Sequence, residues 1–437
     1  MRALSVNHRY LYSAFALVLL AAPAVSAVIG TLERYPGLKP EAVNALPADQ
    51  RAIWTDYLKR SAAAHQNDVD TLNAERMGLK DVPPQPGDSF HDHSIPLDKP
   101  AAWYASAEAR HIADNIASYQ TPAGGWGKNQ DFSKEPRKKG QMWTVFEQTA
   151  VTHAQDYPDP AAVHWHFVGT IDNDATFLQM QFLAKTIAVA GSADAAAWKA
   201  SFMKGVNYLL AAELPCGGWP QIWPLEGGYS DALTYNDDAF SNTVTTLEAV
   251  GTNAGGMYSF VPSELRAKAL AAVKRARAVV LKTQVVVNGK PTVWGQQHNA
   301  LTLKPVAARN FEPAMLSATE SADLLVFLMK LPDPTPEEIA AIHTAAAWLK
   351  SVAIPDIAWE KTADGRKLVS KPGAPLMWSR FYDPATMKPV FGDRDKSIHD
   401  DVNEIDPERR AGYSWYNNGP SKALKLYDSW AKKYPAK

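Results

Sequence analysis

The stretch Thr170-Ile171-Asp172-Asn173-Asp174-Ala175-Thr176 decides the reading, because Tyr235-Asn236-Asp237-Asp238-Ala239 repeats its plan. Each sets an acid–amide cluster directly ahead of a segment with helical spacing: Phe177, Met180, Ala184 and Ile187 in one case, Phe240, Val244 and Leu247 in the other. Each also follows a Gly-Gly-Trp turn, at Gly124-Gly125-Trp126 and Gly217-Gly218-Trp219. Asp and Asn are favoured helix N-caps, so one carboxylate per helix start needs no further cause. Asp172 with Asp174, and Asp237 with Asp238, exceed that need. Grouped carboxylates repel one another unless cations offset them, and calcium prefers oxygen ligands. On the residues alone, calcium binding and direct substrate contact both stay open. A Trp beside a polar cluster suits the apolar face of a sugar ring, although a place in the core is equally natural.

Outward from these turns the pattern is helical. Leu324, Leu328 and Leu331 form another stripe, behind Ser317-Ala318-Thr319-Glu320, which reads as a capping box. Asp49 to Leu72 reads as a helix within a polar segment, residues 28–98, whose end near Val82 to Asp88 is rich in proline. Strands are few and local. Asn288-Gly289 marks one hairpin, Asp364-Gly365 a second, and Arg380 to Asp383 can pair with Lys388 to Phe391. No strand–helix alternation supports a parallel sheet. The expected fold is mainly α: an (α/α) toroid of helical hairpins with short β-hairpins and a long surface groove. The expected division is a signal peptide over 1–27, a helical extension over 28–98 and a catalytic domain over 99–437.

Composition narrows the function. A chain of 437 residues, 46% hydrophobic, can bury a large core. A net charge of -1 argues against nucleic acid as partner. Arg2 and Arg9, the apolar run Ala14 to Ala22, and Val25-Ser26-Ala27 read as a signal peptide cleaved after Ala27. A secreted or periplasmic protein with no membrane contact after cleavage is expected, acting as a monomer. Cys216 is the only cysteine, so no internal disulfide can form.

Several machineries are absent, including His-Glu-x-x-His, Gly-x-Ser-x-Gly and Gly-x-x-x-x-Gly-Lys. His91 with His93, and His164 with His166, lack the further spacing of a zinc site. Basic residues recur near the motifs: Lys128-Asn129 after the first Gly-Gly-Trp, Arg309 in Lys304 to Glu312, and Arg409-Arg410 ahead of Tyr413. Arginine binds a carboxylate through two parallel hydrogen bonds, so an acidic ligand is one reading and a structural ion pair the other.

Taken together, Gly124 to Asp131, Thr170 to Leu183, Gly217 to Pro224, Tyr235 to Ala239, Thr292 to Glu320, Arg380 to Asp383 and Glu408 to Tyr416 resemble, in order, the pectate lyases of polysaccharide lyase family 10. The resemblance implies calcium-assisted cleavage of polygalacturonate, an acidic polysaccharide, by β-elimination. It makes Arg309 the catalytic base; Lys128 stands in reserve because lysine shifts its pKa more readily than arginine. It places Asp172 and Asp237 around calcium, and Lys128, Asn129, Asn173, Arg409, Arg410 and Tyr413 on the substrate, with Trp126 shaping the groove. Four positions depart from the family's usual residues: Gly127 for Pro, Asp174 for Gly, Phe311 for Tyr and Asn299 for Asp. The added charge of Asp174 is expected to tighten calcium binding or enlarge its coordination. Two rivals remain, a glycoside hydrolase using Asp172 and Asp237 as its acid pair, and a pectin-binding protein without turnover.

Overall fold

The computed structural model describes residues 27–89, 94–145, 165–190, 195–363 and 365–436. The leader expected over 1–27 falls almost wholly outside them, as do His91, His93, His164 and Asp364.

The helices are α1 (Pro40–Asn44), α2 (Ala48–Arg76), α3 (Ala107–Ser118), α4 (Phe177–Val189), α5 (Ala195–Ala212), α6 (Ala239–Thr252), α7 (Ser263–Thr283), α8 (Ala318–Lys330), α9 (Pro336–Ser351), α10 (Pro407–Gly412) and α11 (Pro420–Lys433). Helices α4, α6, α8 and α11 touch in succession, and so do α5, α7, α9 and α11. The result is a toroid of helical hairpins.

A repeated unit builds it, and tryptophan fixes each copy. A helix ends with four carbonyls that lack partners along its own axis. Trp126, Trp219, Trp294 and Trp378 are all fully buried, and each indole N–H donates to one such carbonyl. The acceptors are Ile116 at the end of α3, Leu209 of α5, Val280 of α7 and Leu349 of α9, at 2.7–2.8 Å. Each bond is worth roughly 1 kcal/mol. The backbone carbonyls of the first three tryptophans then accept from Thr170, Thr234 and Ser317, which lead into α4, α6 and α8. In the fourth unit, Trp378–Ser379 pairs with Tyr416–Asn417 ahead of α11.

The expected hairpins form. Val286–Val287 pairs with Lys290–Pro291 across Asn288 and Gly289, both at positive φ as such a tight turn requires. Ile357–Thr362 pairs with Gly365–Ser370. Phe381–Tyr382 meets Pro389 and Val390 as expected, and its ladder partner is Leu316–Ser317. The capping box at Ser317 does not form. No side chain caps the start of α8, and Glu320 turns to Ser317 Oγ and Arg380. A capping box does close α9, between Thr335 and Glu338.

The described residues of 28–98 share the main core. Trp54 and Tyr57 of α2 pack in the same cluster as Trp126 and Trp219. The Tyr57 hydroxyl donates to the Ala212 carbonyl at 2.9 Å, and buried Asp68 accepts from the Ala123 amide at 2.8 Å. Strand Val28–Thr31 pairs with Ser397–His399.

Candidate active site

The two decisive stretches become two matching turns, Asp172–Asp174 and Asn236–Asp238, which touch each other ahead of α4 and α6. Thr170 Oγ1 accepts from the Asp172 amide at 3.0 Å, and Thr234 Oγ1 from the Asn236 amide at 3.2 Å. Both turns hold non-glycine residues in the left-handed region: Asn173 and Asp174, Asp237 and Asp238. Such backbone is uncommon outside glycine and clusters at functional sites.

The residue two positions beyond each unit tryptophan reaches this pair of turns or its surroundings. Lys128 Nζ lies 2.6 Å from Asp172 Oδ2, with both side chains buried, and 3.6 Å from the Phe167 ring centroid. Gln221 adjoins the same carboxylate. Gln296 Nε2 donates to Asn236 Oδ1 at 2.8 Å, and Arg380 Nη2 donates to that oxygen at 3.1 Å while pairing with Glu320. Three of these four residues, Gln221, Gln296 and Arg380, were not singled out as site residues from the sequence. The spacing Trp-x-Lys, Trp-x-Gln, Trp-x-Gln, Trp-x-Arg was the available signal.

The two acids differ electrically. Burial would push Asp172 up, but Lys128 pulls its carboxyl below the usual range, with Gln221 and Arg309 adding to the pull. Asp172 Oδ1 is buried without a hydrogen-bond partner. Asp237 is reached by solvent, yet crowding by protein and then the Asp172 charge push it up to about 6, against Arg380 and Arg309.

Arg309 and Glu312 form a second cluster, and the charge of Arg309 reaches both acids. Arg309 Nε and Nη2 reach Glu312 Oε2 and Oε1 at 2.8 and 2.7 Å, and the Tyr413 hydroxyl donates to Oε1 at 2.7 Å. Enclosure pulls the Arg309 pKa down, but Glu312 more than reverses this and leaves it well above the usual arginine value. Arg409 stacks over Phe311, 4.2 Å from the ring centroid. Burial, with Arg394 and Arg309 nearby, lowers its pKa despite Glu408. Arg410 Nη1 donates to the Asn403 carbonyl, at 2.9 Å. Asn173 and Asn129 meet at 3.4 Å.

Trp126 is a correction. Its ring is fully buried and its N–H caps α3, so it offers no face to a sugar. The departures from the family pattern also acquire reasons. A Cβ on Gly127 would meet Thr144 Oγ1 at 2.1 Å, so Thr144 fills that space. Asn299 Oδ1 accepts from the Leu301 and Thr302 amides, a turn role. Phe311 is fully buried beneath Arg409. Asp174 Oδ1 accepts from Asn242 of α6 at 2.7 Å. Among the described residues, no group of three or more His, Cys, Asp or Glu side chains gathers as a metal site. His166 pairs with Glu226.

The family model described as Pectic acid lyase matches residues 120–424, well over half of the chain. The chain belongs to the pectic acid lyase family. Two solved structures agree. A family 10 polysaccharide lyase from Cellvibrio cellulosa is 29% identical, covering 79% of this chain and 99% of its own, with a TM-score of 0.63. A mutant family 10 polysaccharide lyase from the same organism, in complex with trigalacturonic acid, is 30% identical, covering 77% and 96%, with a TM-score of 0.62. No curated protein matches. This pectic acid lyase is therefore a polysaccharide lyase on a helical toroid, which sets aside the hydrolase and the binding protein without turnover.

Proposed function

We propose that this lyase is an exported enzyme that cleaves polygalacturonate by calcium-assisted β-elimination, leaving a 4,5-unsaturated sugar. The observation that carries the reading is the convergence of Lys128, Asp172, Asp237, Arg309 and Arg380 around two touching turns. The trigalacturonic acid bound by the Cellvibrio cellulosa relative supports an acidic substrate.

The residues suit a hard cation shared with the substrate. Asp172 Oδ1 is a buried acceptor without a partner, and Asp237 is an accessible carboxyl whose proton affinity is raised by crowding from the protein and then by its neighbour's charge. Calcium takes about six to eight oxygens. Asp172 and Asp237 would supply the protein's carboxylates, and substrate carboxylate, amide oxygens and water the remainder. When bound, calcium supplies positive charge that draws electrons from the galacturonate C6 carboxylate and makes the C5 proton more acidic.

The chain's own residues do the rest. Arg380, held by Glu320 and Asn236, and Lys128, held by Asp172, offer fixed positive charge to the carboxylate as negative charge develops on it. Asn129, Asn173, Arg409, Arg410 and Tyr413 are assigned to orienting the sugar. Arg309 takes the C5 proton, the electrons of the C5–H bond form the C4–C5 double bond, and the C4–oxygen bond breaks, its electron pair leaving on the glycosidic oxygen, which takes a proton from water. Arginine must first lose a proton to act as base. Because Glu312 favours the charged form, the rate is expected to climb with pH.

Ultraviolet absorbance of the conjugated product, released from polygalacturonate at alkaline pH, tests the reading. Wild type with calcium is expected to give growing absorbance, lost with chelator and reduced at least ~10³-fold in Arg309→Ala. Saturated products, or an Arg309→Ala variant as active as wild type, would sink it.

A further inference from the structure

Glu312 enters the scheme above only through the charge it favours on Arg309, and it is buried, 1% exposed. Five donors converge on its two oxygens. Oε2 accepts from the Arg309 backbone amide at 3.0 Å and from Nε at 2.8 Å. Oε1 accepts from Arg309 Nη2 at 2.7 Å, the Tyr413 hydroxyl at 2.7 Å and Gln296 Nε2 at 3.2 Å. The donors come from the loop after Ala308, the segment after Trp294 and the segment after α10. An ionised carboxylate has about four acceptor sites, so Glu312 has none left for a substrate hydroxyl. Its chemistry is directed wholly at its neighbours.

We propose that Glu312 is the positioning residue for Arg309, fixing the guanidinium by its edge so that Nη1 is the atom presented to the C5 proton. The fork occupies Nε and Nη2, and among the described residues Nη1 has no hydrogen-bond partner. The backbone amide bond ties the carboxylate to the start of the same side chain, so the guanidinium and its own backbone are held by one group. Arg309 lies over the Phe311 ring at 4.8 Å, which limits rotation of the guanidinium plane. A reacting group misplaced by about 1 Å loses about 10²-fold in rate.

The charge of Glu312 also sets when Arg309 ionises. The groups facing Arg309 are Glu312 from its own loop, Tyr229 and Tyr413, which favour its charge, and Asp172, Asp237 and Arg409, which feel its field. No hydrogen bond joins Arg309 to Asp172 or Asp237, so its ionisation is not that of a prospective calcium ligand. Glu312 itself is held charged: burial pushes it up, and Arg309, Arg380 and Tyr413 bring it far below the usual carboxylate range.

This inference rests on Arg309 taking the C5 proton, and the test separates the two. The full-length protein is assayed on polygalacturonate with calcium across pH, with kcat and KM measured for wild type, Glu312→Gln and Glu312→Asp. Melting temperatures are recorded alongside. Glu312→Gln is expected to lower plateau kcat about 10²-fold, leave KM within about threefold, and move the ascending limb of kcat to lower pH. Glu312→Asp keeps the charge but shortens the reach, so kcat falls while the limb stays at the wild-type pH. Wild-type kcat and limb in Glu312→Gln would overturn the proposal, as would an unmoved limb with kcat falling only as melting temperature falls. If Glu312→Gln does not fold, Glu312→Asp decides: wild-type kcat there overturns the proposal, and reduced kcat with an unmoved limb supports it. Absence of unsaturated product from wild type would overturn the functional reading instead.

Discussion

The turns at Asp172–Asp174 and Asn236–Asp238 share a backbone and divide the chemistry between them. Thr170 and Thr234 brace them identically through their hydroxyls. The first position of each is buried, and the second is more open to solvent. In the first turn the buried position holds an acid, Asp172, and the open position an amide, Asn173. In the second the order is reversed, with Asn236 buried and Asp237 open. Their partners follow the exchange. Asp172 takes the Lys128 ammonium, whereas Asn236 takes the neutral Gln296 amide and one edge of Arg380. The repeat supplies the scaffold, and one transposed charge makes one turn a locked ion pair and the other an accessible carboxylate.

Breaking the locked pair should produce the largest effect. Asp172→Asn takes away the carboxylate that lies 2.6 Å from the buried Lys128 ammonium. Removing one partner of a buried pair costs about 3–5 kcal/mol. The expected result is that much lost stability in urea titrations, with turnover down by ~10³-fold or more. Asp237→Asn should retain most of its stability, because the hydrogen bond at stake is a short-range one from the adjacent Asn236 amide, at 2.6 Å. It should still lose calcium-dependent turnover. Equal destabilisation by the two substitutions would break the comparison.

The pH dependence of stability sharpens it further, measured in chelator. Asp237 has a folded pKa raised to about 6 from 3.8, so between those values the folded chain binds the extra proton. Raising pH through that window therefore favours unfolding. Asp172, whose pKa is lowered, acts oppositely: its contribution is present above the ordinary Asp value and is lost as pH falls below it. Melting temperature from pH 4 to 6 should accordingly fall less steeply in Asp237→Asn than in wild type. An unchanged slope would mean that neither burial nor the field of Asp172 raises Asp237 in the folded chain.

What the sequence disclosed follows the range of the interactions. The acid–amide turns, the helix stripes and the Asn288-Gly289 hairpin are local, and each was legible because neighbouring residues determine it. The family resemblance placed Arg309, Asp172 and Asp237, and the structure brings them together. Arg380 was passed over because its partner Asn236 lies 144 residues away, and no local pattern encodes that contact. Glu320 was read as a cap for the same reason: its spacing from Ser317 fits a capping box, while its distant partner Arg380 decides where it turns. Trp126 was misplaced by its polar neighbours, since nothing local tells a capping indole from a sugar platform. The comparison that could have told them apart is internal. Trp294 and Trp378 lack the Gly-Gly prefix, but all four tryptophans share a polar residue two positions on, a pattern belonging to a repeated helix end.

Asp174 offers the smallest expected effect and the finest distinction between the turns. It stands where the family's usual glycine would, with φ at 63°, and left-handed backbone costs a non-glycine residue about 1 kcal/mol, less for Asp than for most. Its carboxylate accepts from Asn242 at 2.7 Å, a bond worth about 1 kcal/mol, so it fastens the first turn to the helix that follows the second. Asp174→Gly relieves the strain, loses the bond and loosens the unfolded chain. These changes nearly cancel, and urea titration should find a difference below about 1 kcal/mol. Calcium affinity by calorimetry should change by less than about threefold, because the carboxylate is directed at Asn242 and its field falls on Asp238. A tenfold weaker affinity would instead make Asp174 a third acid of the cation site, and the division of labour between the turns would then have to include it.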